Sequence, residues 1–275
     1  MRTTLAVCCL IAVLAPLACA PPVPDVGSLP ETWMTQESPE LARSATIGFR
    51  KVANAAWWGF DETDSTVALQ EAIDSGAPTV IVPDMGKPWV VARTIELASF
   101  QTVLFERGVV VEAKAGAFRG KGEPLFQAQH KTRLALIGYG ATLKMRKADY
   151  QKPPYEKAER RHALSPRGCS HVRVQGLTLR ESGGDGIYIG THPKQPYCRD
   201  VHIKDVTCEA NHRQGISVIT AQGLLIENCR LLATSGTAPQ AGIDLEPNHP
   251  NERLADVVIR DCIVEGNAGP GIYAY

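Results

Sequence analysis

The chain has 275 residues, 44% hydrophobic and 21% charged, with 29 basic and 29 acidic side chains. This composition excludes full-length disorder and collagen-like repeats, and the zero net charge leaves no global field to draw in nucleic acid or an anionic membrane. With 24 glycines and 19 prolines against 6% aromatics, short strands and tight turns are favoured over long helices.

Residues 1–20 read as a secretory signal peptide: Arg2, an apolar run over 5–17, then Ala18, Cys19 and Ala20. The run is too short for a stable transmembrane helix, and no later segment approaches 18 apolar residues. Two cleavage readings stay open. One cuts after Ala20, ahead of Pro21; the other is a lipoprotein cut that leaves a lipid anchor on Cys19, with Pro16 where that pattern wants an aliphatic residue. Either way the chain is expected to be secreted, periplasmic or on the cell surface. Beyond the leader remain Cys169, Cys198, Cys208, Cys229 and Cys262, with none of the CxxC spacing of a zinc site.

Residues 21–44 are rich in Pro, Ser, Glu and Thr and read as a linker. Residues 66–73 then form a helix with Ala68, Leu69, Ala72 and Ile73 on one face, capped by Asp64 or Ser65 and stopped at Ser75-Gly76. Strands are predicted at 79–82, 90–91, 94–97, 102–105, 109–112, 134–137 and 141–145. No second helix is predicted, so architectures that need crossover helices drop out.

The strongest signal is an internal repeat. Gly186-Ile187, Gly215-Ile216, Gly242-Ile243 and Gly271-Ile272 recur at spacings of 29, 27 and 29 residues. Fourteen residues ahead of three of them, and eighteen ahead of Gly242, start the strands at Val172, Val201, Val257 and Leu224. Gly176, Asp205, Asn228 and Asp261 follow as turn residues, and Ser182, Asn211 and Asn267 share one corner position. A unit of three short strands cannot bury its apolar face alone, but stacked copies make one continuous core. The fold class is all-β: a parallel β-helix with rungs about 4.8 Å apart. It occupies 45–275, with the N-terminal cap near 55–76 and the clearest repeats over 171–275. An antiparallel sandwich would not hold this register through four copies. Cys208, Cys229 and Cys262 then face inward as small hydrophobes. Cys169 and Cys198 stack on neighbouring rungs and are expected to form the only disulfide.

The segment from Phe60-Asp61-Glu62-Thr63-Asp64-Ser65 through Ala68-Leu69-Gln70-Glu71-Ala72-Ile73 resembles the opening of the pectate-lyase-like superfamily, in which a "DGxTDDTxAIQxAI" stretch caps a right-handed β-helix. The strand at 79–82 with Pro83 is similar to the "IxxPxG" strand that follows there, and the likeness extends over about 55–275. It implies the right-handed form of the fold. Gly184-Asp185-Gly186-Ile187 resembles the "GDDxI" segment of polygalacturonases and Gln214-Gly215-Ile216-Ser217 their "HGISIGS" segment. One aspartate of that pair is present, glutamine stands in place of the histidine, and the "NTDG" and "RIK" motifs have no match. The likeness therefore carries one catalytic position over, Asp185.

With the Gly-Ile isoleucines inward, the next residue faces outward, so one strip carries Asp185, Tyr188, His212, Arg213, Asp244 and Glu246. Loops at 191–199, 234–240 and 247–256 bound it. Asp244 and Glu246 share a face, with carboxyls expected about 6 to 7 Å apart, near the span an inverting glycosidase needs for its water. Arg213 is the candidate cation or proton acceptor, the role a basic residue plays in β-helix lyases. Arg161, His162, Tyr188, His212, Gln214 and His249 are candidate substrate-binding residues. Residues 144–161 hold seven Lys or Arg against three acids, a local positive patch or a solvated loop. The histidines match no metal spacing; if a cation binds, Ca2+ on Asp185, Asp244 and Glu246 is the expected one. The reading is a β-helix enzyme that hydrolyses or eliminates an extracellular, uronate-containing or similar polysaccharide. A non-catalytic glycan-binding or structural β-helix is the alternative, and it prevails if the four candidate residues scatter over separate faces. The repeat strand ending at Tyr275 carries no cover, so truncation or end-to-end association is also expected.

Overall fold

Three parallel sheets wind around one core, each rung giving a strand to each sheet. The computed structural model describes residues 36–48 and 50–274. The leader, Cys19, the linker up to residue 35 and Tyr275 lie outside the described residues. The first sheet has eight strands, from Val52–Asn54 to Leu254–Arg260; the second has seven, from Trp89–Val91 to Ile263–Glu265; the third has seven, from Ile95–Glu96 to Ile272–Ala274. The register follows the sequence repeat. Val172, Val201, Leu224 and Val257 are neighbours on the first sheet. Ile187, Ile216, Ile243 and Ile272 are neighbours on the third.

The corners explain the polar residues of the repeat. Asp205, Asn228 and Asp261 turn the chain in the left-handed region, at φ 55°, 51° and 55°, where Asp and Asn tolerate what most L-residues do not. At another corner Asn211 Oδ1 accepts from Ser182 N–H at 3.1 Å and its Nδ2 donates to Leu179 O at 3.2 Å. Asn267 repeats the arrangement with Thr234 N–H at 3.0 Å and Leu231 O at 2.9 Å. Each asparagine thus satisfies backbone groups that the bend takes out of the ladder.

Helix α2, Thr66–Asp74, covers the N-terminal end of the stack with Ala68, Leu69, Ala72 and Ile73 on the core. Asp64 Oδ1, not Ser65, accepts from the helix's first N–H, that of Thr66, at 3.1 Å. Gln70 pairs both ways with Glu96 on the third sheet's outer strand: its Oε1 accepts from Glu96 N–H at 2.9 Å and its Nε2 donates to Glu96 O at 3.0 Å. A side chain thereby closes an otherwise open sheet edge.

The structure corrects four expectations. A second helix exists: α1, Pro39–Thr46, runs through the end of the stretch read as linker. Ser38 caps it, Pro39 starts it, and Ala42 and Ala45 pack with Ala53, Trp57 and Ala77. Strands Phe126–Gln129 and Leu164–Arg167 belong to the third sheet although neither was predicted. Pro166 fits there because its carbonyl does the pairing, accepting from Gly190 N–H at 3.0 Å. The expected disulfide is absent: Cys169 and Cys198 are both free, and both lie inside the core. Their thiols donate to separate carbonyls, Cys169 to Ala128 O at 3.3 Å and Cys198 to Gly190 O at 3.6 Å. Stacked side chains on parallel strands keep the rung spacing of about 4.8 Å, wider than the roughly 3.8 Å between the Cβ atoms of a disulfide.

Candidate active site

The third sheet has short strands, and this brings two polar ladders together. Tyr188, Ser217 and Asp244 are neighbours on successive rungs, on the face opposite the isoleucines. At the adjoining corner His162, Asp185 and Gln214 hold equivalent places, because Ala163 N–H donates to Asp185 O and Gly186 N–H to Gln214 O, both at 3.0 Å. The face is not open to solvent as expected: Asp185, Gln214, Ser217 and Asp244 have no exposed surface. Glu246 and Arg213 form the outer edge, with 27% and 17% of their side-chain surface exposed.

Arg213 joins the acids. Its Nη2 pairs with Glu246 Oε2 at 2.9 Å, its Nε with Glu159 Oε2 at 3.3 Å, and its Nη1 with Asp185 Oδ1 at 4.0 Å. Burial works against the guanidinium charge, but Asp185 and Glu246 outweigh it and hold the group above its ordinary value. Asp244 behaves in the opposite way. Burial, then the negative charge of Glu246, push it up to about 7. Gln214 Nε2 donates to Asp244 Oδ2 at 2.6 Å.

His162 Nδ1 lies 3.2 Å from Asp185 Oδ2, and its ring stacks on Tyr188 at 4.6 Å. The Arg167 guanidinium lies 4.5 Å from the centroid of the same Tyr188 ring. Among the described residues eight buried side-chain polar atoms lack a hydrogen-bond partner. Four of them belong to this cluster: both Asp185 oxygens, His162 Nε2 and Asp244 Oδ1. Folded cores leave few such atoms, and half of those among the described residues gather here.

The structure brings together Asp185, Arg213, Asp244, Glu246, His162, Tyr188 and Gln214. Three expected substrate contacts lie elsewhere. Arg161 is fully buried and donates to the Phe118, Arg119 and Glu156 carbonyls at 2.7, 3.0 and 2.7 Å, tying a loop down. Being next to His162 in an extended segment, it points the other way. His212 is spent on loops, its Nδ1 3.3 Å from Gln151 Nε2 and its Nε2 2.9 Å from Thr237 Oγ1. His249 is exposed on the loop after Glu246, with its backbone N–H on Glu252 Oε2 at 2.9 Å. No three His, Cys, Asp or Glu among the described residues are grouped to hold a metal ion. Glu159 and Arg167 were missed. Glu159 sits in the charged run before His162, and Arg167 sits on the strand that Pro166 masked.

The family model described as a right-handed β-helix region matches residues 158–275. The chain folds as a right-handed parallel β-helix. It is 26% identical over 121 residues to the SPbeta prophage-derived uncharacterized protein YorA of Bacillus subtilis (strain 168), covering 39% of this chain and 21% of that protein. The chain thus spans about a fifth of that relative's length. Among solved structures, a candidate glycosyl hydrolase from Parabacteroides merdae aligns at a TM-score of 0.54 and 18% identity, covering 82% of this chain and 98% of that one. The tailspike protein gp49 of Acinetobacter baumannii bacteriophage Fri1, a capsular polysaccharide depolymerase, aligns at 0.53 and 13% identity, covering 82% and 41%. At these identities the likeness is one of fold. No helix among the described residues is long and apolar enough to cross a membrane.

Proposed function

We propose that this protein is an exported β-helix enzyme that hydrolyses a uronate-containing or similarly anionic polysaccharide. The carrying observation is the Asp244–Glu246 pair, two residues apart: one carboxyl fully buried with an unpartnered oxygen, the other reaching the surface on the Arg213 guanidinium at 2.9 Å. A buried carboxyl held up to about 7 keeps a proton available near neutral pH. Glu246 meets the substrate and protonates the departing glycosidic oxygen as its bond to the anomeric carbon breaks, a solvent water adds to that carbon, and the proton the water loses restores the acid through Asp244. Arg213, held charged by three acids, orients an anionic sugar rather than removing a proton, which favours hydrolysis over elimination. The similarly folded tailspike, a capsular polysaccharide depolymerase, supports the substrate class.

One observation favours a second reading, a glycan-binding surface without catalysis: Asp185 and Asp244 have no exposed surface. A panel of polysaccharides separates the two. Hydrolysis releases reducing ends without the ultraviolet absorbance of unsaturated products, and Asp244→Asn or Glu246→Gln lowers the rate about 10²–10⁴-fold. Binding without any new reducing ends would establish the second reading, and unsaturated products would establish elimination.

A further inference from the structure

The Gln214 side chain has no exposed surface, so it cannot touch a polysaccharide and is not the substrate contact its position suggested. Its two ends are nevertheless fully used. Ala241 N–H donates to Gln214 Oε1 at 2.8 Å, and Gln214 Nε2 donates to Asp244 Oδ2 at 2.6 Å. A backbone N–H can only donate, so Ala241 fixes which end of the amide is oxygen. The NH₂ group is then forced toward Asp244, and no flip of the amide is available. Asp244 Oδ2 becomes the accepting oxygen, while Oδ1 is buried with no donor of its own.

We propose that Gln214 is a positioning residue that assigns the proton of Asp244 to Oδ1 and stabilises the ionised form by holding its amide NH₂ on Oδ2. The corner ladder makes this arrangement. Gln214 precedes Gly215-Ile216 and Ala241 precedes Gly242-Ile243, so they are equivalent places one rung apart, and Asp244 lies on the same rung as Ala241. The charged and titratable groups around Asp244 are Glu246 on its own strand, Arg213 and Asp185 on earlier rungs, and Tyr273 beside it on the next. Arg213 is already engaged by Glu246, Glu159 and Asp185, which leaves Gln214 as the neutral donor to Asp244. Removing it takes a hydrogen bond from the ionised carboxylate, which raises the titration midpoint.

The inference rests on Asp244 being the acid of the site, but its test needs no substrate. In protein carrying carboxyl-¹³C aspartate, the signal missing from Asp244→Asn reports the titration. Gln214→Met is expected to raise that midpoint by about one pH unit or more, with the protein still folded. Should that variant not fold, the wild-type protein decides the matter. The Gln214 side-chain NH₂ signals, assigned through their proximity to the Ala241 amide, are expected to shift with pH at the midpoint of Asp244. An unmoved midpoint in folded Gln214→Met, or Gln214 signals that ignore the Asp244 titration, would overturn the proposal. Failure of the hydrolytic reading shows separately, as full activity in Asp244→Asn.

Discussion

At the scale of single residues, two acids dominate the response to pH, in opposite directions. Asp244 is raised from 3.8 to about 7, burial being the largest cause. Between those values the folded protein holds a proton that the unfolded chain has released, so stability falls as pH rises through this window. Asp244→Asn keeps an oxygen for Gln214 and never ionises. It is expected to match the wild type near pH 4 and to melt higher at pH 8, by on the order of 5 °C. Glu227, on the first sheet's outer face, is lowered from 4.5 to about 2, chiefly by a hydrogen bond from Arg260, with His202 Nε2 2.9 Å away. Its contribution is complete above the unfolded value and fades as pH falls toward 2. Glu227→Gln is therefore expected to melt lower than wild type at pH 7 and to converge with it in acid. Melting curves of both variants across pH check the signs, and a pH-independent difference in either would contradict the cause assigned.

At the scale of elements, the corners and the buried cysteines carry distinct expectations. Asn211 has no exposed surface and satisfies Ser182 N–H and Leu179 O. Asn211→Ala leaves both backbone groups unpaired, at about 1–3 kcal/mol each, so urea unfolding should show a loss of about 2–5 kcal/mol. Cys198 and Cys229 are pushed up to about 12 by burial, and Cys169 and Cys208 also rise for that reason. Alkylation of the folded protein should reach Cys262 first and leave these four until unfolding, and mass mapping should find no bridge between Cys169 and Cys198. The β-helix was legible because its repeat is a one-dimensional pattern: Gly-Ile, an aliphatic strand and a turn residue recur at fixed offsets whatever the loops do. The convergence of Asp185, Arg213, Asp244 and Glu246 followed from that register. What failed to show was whatever depends on neighbours outside the repeat. Strand alternation says which way Asp244 points, but the surroundings of the strip decide that it is buried. Stacking places Cys169 beside Cys198, but each thiol is turned to a carbonyl of its own in the core and they do not join. The eight-residue helix α1 has too few positions for a helical period to stand out from its polar surroundings.

At the scale of the whole molecule, a stack of rungs should distribute its stability by how completely each rung is covered. The third-sheet isoleucines give a controlled comparison, since they share one register and one inward direction. Ile187, Ile216 and Ile243 are fully buried, while Ile272, on the last described strand, is 50% exposed. Shortening a covered isoleucine removes apolar contacts on the rungs to both sides and leaves a cavity, which costs about 2–5 kcal/mol. Shortening Ile272 trims a side chain that water already reaches and should cost less than about 1 kcal/mol. Ile216→Ala and Ile243→Ala should therefore destabilise the protein several-fold more than Ile272→Ala in urea unfolding, despite identical chemistry at each position. Ile216 and Ile243 also flank the two polar ladders, so the loss should reach the site. In Ile216→Ala the Asp244 titration should broaden or shift, as Gln214 and Asp244 lose the backing that holds them in contact, whereas in Ile272→Ala it should not move. Equal costs at the covered and exposed positions would mean that the rungs do not act as nearest neighbours, and an unmoved Asp244 in Ile216→Ala would mean that the corner ladder holds the site without the core beneath it.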